Sequence, residues 1–432
     1  MGQAAGVAPV DVSARRAEVS LEHPLKIDLV GRAFKQDPYP TFAKMRAAGP
    51  VIPVKLPFIG SIWMTTTHAA ALAAVKDSEL FVLEGRHAGK SGVAGMQWWM
   101  PKSIRLLANN MLTKDEPDHR RLRKLVDKAF ARRGILEMRP EVEQLADRLL
   151  DDLAGEGEVD LLARYARRLP LYVICDLLGL REEDREAFAA WSERLAGVGG
   201  TFGMLRTFAG IGGMVKLLRA EIERVRAAPR DGLISELVRA EADGDKLDEN
   251  ELLSMVFLLL VAGFETTTNL IAGAIVDLEQ NPDQKVWLLT APDERIERAV
   301  EELARHVSAV QGTKPRYASR DVDFFGVHIQ RGELMMAFPA CANADPEVFD
   351  EPERLKLDRF PNHHLAFSSG IHFCLGMQLA RLETQVAIGR LYARYPQLEI
   401  EGIDALDYSQ RPGIRGLRSL GVRLNDRMSA AA

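Results

Sequence analysis

The run Phe367-Ser368-Ser369-Gly370-Ile371-His372-Phe373-Cys374-Leu375-Gly376 sets one cysteine between glycines, immediately before a helical pattern. A sulfur placed there meets the N–H groups and the positive dipole end of a helix, which favour thiolate, the metal-binding form, over thiol. Gly370 and Gly376 allow a sharp turn and close approach to something flat and bulky. The plainer alternative is that a cysteine among apolar neighbours is an inert small hydrophobe. A second segment, Ala262-Gly263-Phe264-Glu265-Thr266-Thr267-Thr268, puts poor helix formers and a carboxylate inside an apolar stretch. Such breaches of local rules gather at functional sites, and an acid beside a hydroxyl can pass protons. Alternatively, each threonine hydroxyl bonds back to the carbonyl four residues earlier and Glu265 faces water.

Two charged pairs accompany them. Glu302 and Arg305 lie three apart on one helical face, which by itself is an ordinary surface pair worth about 0.2–0.5 kcal/mol. His119 and Arg123, four apart, could both donate to one anion or belong to a solvated face. The same helix displays Arg120, Arg121, Lys124 and Lys128 and continues to Arg132 and Arg133.

Helices must position these residues. Apolar residues three and four apart predict helices over 115–130, 138–153, 161–178, 182–195, 214–226, 234–242, 248–279, 293–307 and 375–394. The 248–279 helix would run about 48 Å, started by Asp248 with Glu251 and stopped at Asn281-Pro282. Between Pro38 and Val82, β-branched runs predict a helix followed by a small sheet. Short strands are expected between Tyr317 and Met336, then an irregular loop to Arg359. Two glycine-rich stretches, 85–95 leading into Met96, Trp98, Trp99 and Met100, and 197–213 carrying Phe202 and Met204, read as loops that could cover an apolar pocket.

The chain has 432 residues, 47% hydrophobic and 27% charged, with a net charge of -5, an ordinary globular composition that gives no reason to expect nucleic acid. Three distant cysteines, Cys175, Cys341 and Cys374, exclude a disulfide framework and cannot hold an iron–sulfur cluster alone. Asp11, Arg15, Arg16 and Glu18 break any apolar leader, and the run Met255 to Phe264 is shorter than the roughly 20 residues of a membrane span. A cytoplasmic protein without membrane contact is expected.

The cysteine loop, with the other segments, resembles the haem-binding loop of the cytochrome P-450 family, and the resemblance spans roughly Pro38 to Val422. It implies a mainly α fold with a smaller β-rich part in a single large domain: 1–35 an N-terminal extension, partly disordered, 36–425 the haem domain, and 426–432 a tail. It implies haem b (iron protoporphyrin IX), with Cys374 as the iron ligand and Phe367, Gly376, Ala262 and Gly263 against the haem. His119, Arg123, Arg316 and His372 would hold the propionates. Thr266 and Glu265 would be the catalytic hydroxyl and proton relay, while Glu302, Arg305 and Arg359 would brace the loop. The implied reaction is O2-dependent monooxygenation of a hydrophobic small molecule, a terpenoid, steroid, fatty acid or macrolide-like compound. With neither a dinucleotide fingerprint nor cluster cysteines, the chain would draw electrons from a separate ferredoxin and NAD(P)H-dependent ferredoxin reductase. The basic helix would steer an acidic ferredoxin, and the protein would be a monomer.

Several positions depart from the commonest bacterial pattern: Ser368-Ser369 where Phe-Gly is frequent, Ala309 for Pro, Ala344 for Arg and Lys356 for Asp. They put the loop from Val310 to Lys314 in doubt. The alternatives are a peroxide-driven peroxygenase, a branch lacking the acid–alcohol pair, and a haem-binding sensor or carrier without turnover.

Overall fold

The computed structural model describes residues 20–57, 59–96, 102–196, 200–242 and 247–425. The β-branched run after Gly49 forms β1 (Val51–Leu56), an edge strand, which is why it tolerates Pro53. It pairs antiparallel with β2 (Gly60–Thr65), Val51 opposite Thr65. With β3 (Phe81–Val82), β4 (Arg316–Ala318) and β5 (Leu334–Met336) they make one sheet in the order β1-β2-β5-β4-β3, only β2 and β5 running parallel.

Helix dominates elsewhere. The elements that build the site are α1 (Asp118–Arg133), α2 (Arg168–Leu178), α3 (Gly200–Ala227), α4 (Glu249–Gln280), α5 (Pro292–Val307) and α6 (Met377–Arg394). The long α4 starts in a reciprocal cap: Asp248 Oδ1 accepts the Glu251 N–H (2.8 Å) and Glu251 Oε2 accepts the Asp248 N–H (3.1 Å). It is the axle of the molecule, packing on α2, α3, α5 and α6 within one continuous apolar core. By length and composition α4 could cross a membrane, but 67% of its most apolar window is buried inside the protein, as befits a core helix.

One expectation needs correction, and two features were not foreseen. From Gly200 onward the glycine-rich stretch is not a loop but the first half of α3. Buried Met214, Leu218, Ile222 and Val225 anchor the second half, and extending an existing helix costs far less than nucleating one. Pro282 ends α4 yet opens a further helix, Pro282–Thr290, because proline is well placed at the first helical position. Ahead of residue 36, Leu29 and Phe34 are buried in the second core cluster and Leu25 bridges Val54.

Candidate active site

The cysteine loop closes on itself before α6 begins. Cys374 N–H donates to the Phe367 carbonyl (3.0 Å) and Phe373 N–H to that of Gly370 (3.1 Å). Gly370 has φ +70°, and a Cβ there would press into the Val75 carbonyl oxygen, so the position demands glycine twice over. Gly376 differs from expectation: its φ of -86° suits any residue, and what it provides is space, since a Cβ would meet no atom within 4 Å.

Beneath the loop lies a buried ion network. Arg305 clasps Glu302 through Nε (2.8 Å) and Nη2 (2.7 Å) and donates from Nη1 to the carbonyls of Asn343 and Pro352. Arg359 adds Nε donors to both Glu302 oxygens (3.1 and 3.0 Å), forming the three-member set. Asn343 then accepts the Leu365 N–H at its Oδ1 (2.7 Å), which carries the constraint to two residues before Phe367. Sequence reasoning missed a second brace. Arg381 binds Glu301 with two hydrogen bonds (2.6 and 2.7 Å), lies 5.1 Å from the Phe367 ring centroid, and has His364 as a further partner of Glu301. The only hint was that Arg381 stands in the second turn of the helix that follows Cys374.

Cys374 borders a cavity of about 280 Å³. Phe367, His372 and Gly376 share its wall with Cys374; Ala262, Gly263 and Thr266 come from α4, and His119 and Arg123 from α1. Burial raises the Cys374 thiol above its ordinary value, against the Gly376 N–H and the charges of Arg123 and Arg381. Gly263 serves helix packing as well as the cavity, for a Cβ there would lie 2.7 Å from Ile174 of α2.

Two expected residues lie off this wall. Glu265 borders a separate chamber of about 30 Å³ with Thr268, Ser409 and Arg411, and Arg411 forms an ion pair with its carboxylate. Thr266 Oγ1 donates to the Ala262 carbonyl (2.9 Å) and Thr267 Oγ1 lies 3.4 Å from that of Gly263, so the plainer back-bonding pattern is present although Glu265 is paired and not simply solvated. Arg316 is buried, its Nη1 3.5 and 3.4 Å from the Ala74 and Val75 carbonyls. Glu383 of α6, also unforeseen, is fully buried and held well above the carboxylate range by burial.

One edge of the cavity is rich in cations and poor in acids. The rings of His119 and His372 meet edge to face at 4.5 Å, and the buried Nδ1 of each lacks a hydrogen-bond partner among the described residues. His119 Nδ1 is 3.7 Å from Glu116, beyond hydrogen-bond reach. Burial, then the charges of Arg316, His119, Lys314 and Arg123, push the pKa of His372 down to about 2. Arg123 braces the loop by donating to the Phe373 carbonyl (2.7 Å). A flat apolar group with carboxylates at one edge and a metal over the sulfur fits these donors, and haem has that character.

On the basic helix, Arg121 is paired with Glu251 and Arg120 with Glu116, while Lys124 and Lys128 are exposed; the side chains of Arg132 and Arg133 lie outside the described residues. The 85–95 stretch is pinned by Gly85 N–H to Gly92 (2.7 Å) and Ala94 N–H to Leu83 (2.8 Å), and is not a loose flap. Trp98, Trp99 and Met100, and the side chains of Phe202 and Met204, lie outside the described residues.

The cytochrome P-450 family model matches residues 295–411. The chain is 39% identical over 402 residues to a vitamin D(3) 25-hydroxylase of Pseudonocardia autotrophica, covering 93% of this chain and 97% of the relative. The solved structure of the cytochrome P-450 PksS of the Bacillus subtilis 168 bacillaene polyketide synthase superposes with a TM-score of 0.83 at 35% identity, covering 92% of this chain and all of that one. The tirandamycin C-bound monooxygenase TamI gives 0.84 at 36%, covering 93% and 100%.

Proposed function

The chain belongs to the cytochrome P-450 family, a haem-dependent monooxygenase of the bacterial kind, and from that premise we propose that Cys374 is the iron ligand and that Thr266 and Glu265 deliver the protons of its reaction. The observation that carries this reading is the shared cavity: Cys374 on one wall and the Ala262-to-Thr266 turn of α4 on another. The cofactor is haem b, whose iron, when bound, supplies binding and activation of O2.

This chain's residues then have distinct tasks. Gly376 and Ala262 leave room for the ring; His119, Arg123, Arg316 and His372 satisfy its carboxylates; Phe367 and the Glu302, Arg305 and Arg359 network hold the loop. The Thr266 hydroxyl spends its hydrogen on the Ala262 carbonyl but keeps lone pairs toward the cavity, so it accepts a proton donor there and can turn to donate. Glu265 takes protons from the small chamber, which has room for about two waters and carries buried hydroxyls of Thr268 and Ser409 that have no partner among the described residues.

Apolar walls from Ile174, Leu258, Leu259 and Val310 suit a lipophilic substrate, in keeping with relatives named for vitamin D(3) and tirandamycin. Electrons come from a ferredoxin and its NAD(P)H-dependent reductase, steered by exposed Lys124 and Lys128, in the cytoplasm and with the protein as a monomer. Reconstitution with those partners and lipophilic compounds tests the reading. Thr266→Ala should leave the substrate-induced Soret shift and uncouple NAD(P)H oxidation from product; unchanged coupling removes Thr266 from the mechanism. Cys374→Ala should abolish the thiolate-type spectrum of the reduced CO complex.

A further inference from the structure

The second brace of the cysteine loop has an electrical direction. Arg381, on α6, holds both oxygens of Glu301, on α5, through Nε (2.6 Å) and Nη2 (2.7 Å). Its guanidinium carbon lies 5.1 Å from the centroid of the Phe367 ring. His364 completes the set, its ring 5.8 Å from that of Phe367. Its Nδ1 accepts the Ala366 N–H (3.2 Å), which leaves the ring proton on Nε2, the atom facing Glu301 Oε2 (3.2 Å), so in this network the imidazole is neutral. The set therefore carries one anion and one cation, with the cation on the Phe367 ring.

Phe367 is joined directly to the sulfur-bearing residue. Its carbonyl accepts the Cys374 N–H (3.0 Å), and both residues border the main cavity. Stability gives this placement of charge little reason, because Arg381 and Glu301 keep 24% and 29% of their side chains exposed and an ion pair so open to water contributes little. The face of an aromatic ring attracts a cation and holds it there. From that position the positive charge acts on the sulfur end of the cavity through protein, where fields are screened less than in water.

We infer that Arg381, positioned by Glu301, sets the one-electron reduction potential of the metal bound at Cys374. The inference rests on the haem reading of the site. When iron(III) takes one electron from the redox partner and becomes iron(II), the site gains one negative charge. A neighbouring cation favours that state and a neighbouring anion disfavours it, so the two partners of a single clasp pull the potential in opposite directions.

Redox titration of substrate-free holoprotein, followed by the Soret band at fixed pH and salt, compares the wild type with Arg381→Met, Arg381→Lys and Glu301→Gln. Arg381→Met should disfavour reduction about 10-fold, a fall of about 59 mV for a one-electron couple. Arg381→Lys keeps the charge and should hold close to the wild-type potential. Glu301→Gln should favour reduction about threefold, an opposite shift. A clasp that only fastened the loop would give Arg381→Met and Glu301→Gln changes of the same sign, and that result, or equal potentials throughout, overturns the inference. If Arg381→Met takes up no haem, Glu301→Gln decides alone: an upward shift supports the inference, and an unchanged or lower potential overturns it. A wild-type holoprotein without a thiolate-type CO spectrum overturns the haem reading instead.

Discussion

Arg411, in the C-terminal segment, grips the carboxylate of Glu265 on α4 with its guanidinium, Nη1 on Oε1 and Nη2 3.4 Å from Oε2. Adjacent residues on a helix point about 100° apart, so Glu265 opens on the small chamber while Thr266 opens on the main cavity. The pair straddles α4. In the proposed relay, a proton taken up at Glu265 would part the carboxylate from the arginine and travel around the helix, and the carboxylate is the group that would both accept and release it. Glu265→Gln keeps an oxygen for Arg411 but holds no exchangeable acid proton. Turnover should fall about 100-fold with a larger solvent isotope effect, while the substrate-induced Soret shift stays as in the wild type. Equal turnover in steady-state product assays would place the relay elsewhere.

Ser368 occupies the left-handed region at φ +60°, next to Phe367 and on the cavity wall. An L-residue there costs roughly 1–2 kcal/mol, and a β-branched one costs more because its γ atoms crowd the carbonyl. Ser368→Val should lower unfolding free energy by about 1–2 kcal/mol, whereas Ser368→Gly should be neutral or stabilising by up to about 1 kcal/mol. Urea midpoints at constant slope check both. If valine is tolerated without loss, the loop is less constrained than its backbone geometry indicates.

What the sequence discloses follows contiguity. Cys374 and Gly370 fall within one short run, and Glu302 with Arg305 within one helical turn, so their spacing carries their geometry. Asp248 with Glu251 disclosed the start of α4 for the same reason. Pairings across the fold leave no such trace: Arg411 is 146 residues from Glu265 and Arg381 is 80 from Glu301. Composition misleads where tertiary packing overrides it, as in the glycines of α3, held helical by the buried residues that follow them. Burial was equally unreadable, which is why the raised Cys374 thiol and the raised Glu383 carboxyl emerged only with the fold.

Lys35 is completely buried and donates to Gln311 Oε1 and the Ile414 carbonyl, both at 2.6 Å. Burial first, then Arg415 and Arg411, brings its pKa from 10.5 in the free side chain to about 7. Below that value both folded and unfolded chains are protonated and the full cost of the buried charge is present. Between about 7 and 10.5 the unfolded state binds the extra proton, so stability rises with pH. Relative to Lys35→Met, the wild type should gain stability across this window at a slope of up to about 1.4 kcal/mol per pH unit. Urea unfolding of both proteins just above neutrality and again in mild alkali measures the difference. A pH-independent gap would show that Lys35 stays charged in the folded state.

Glu302 is shared: Arg305 and Arg359 both donate to it, as do the Asn362 side chain (3.1 Å) and the Lys356 N–H (3.1 Å). Removing Arg305 leaves the carboxylate with Arg359, but frees the Asn343 and Pro352 carbonyls of their donor, and should cost about 3–5 kcal/mol as Arg305→Ala. Removing Glu302 strands two buried guanidiniums at once, so Glu302→Ala should cost more than Arg305→Ala. The double variant Glu302→Ala with Arg305→Ala should then cost less than the sum, since each change removes the partner the other leaves unpaired. Denaturant unfolding gives the three free energies. Because Asn343 passes the constraint to Leu365 and the cysteine loop, faster haem loss should follow the same order, and strict additivity would mean that the two side chains do not act as one unit.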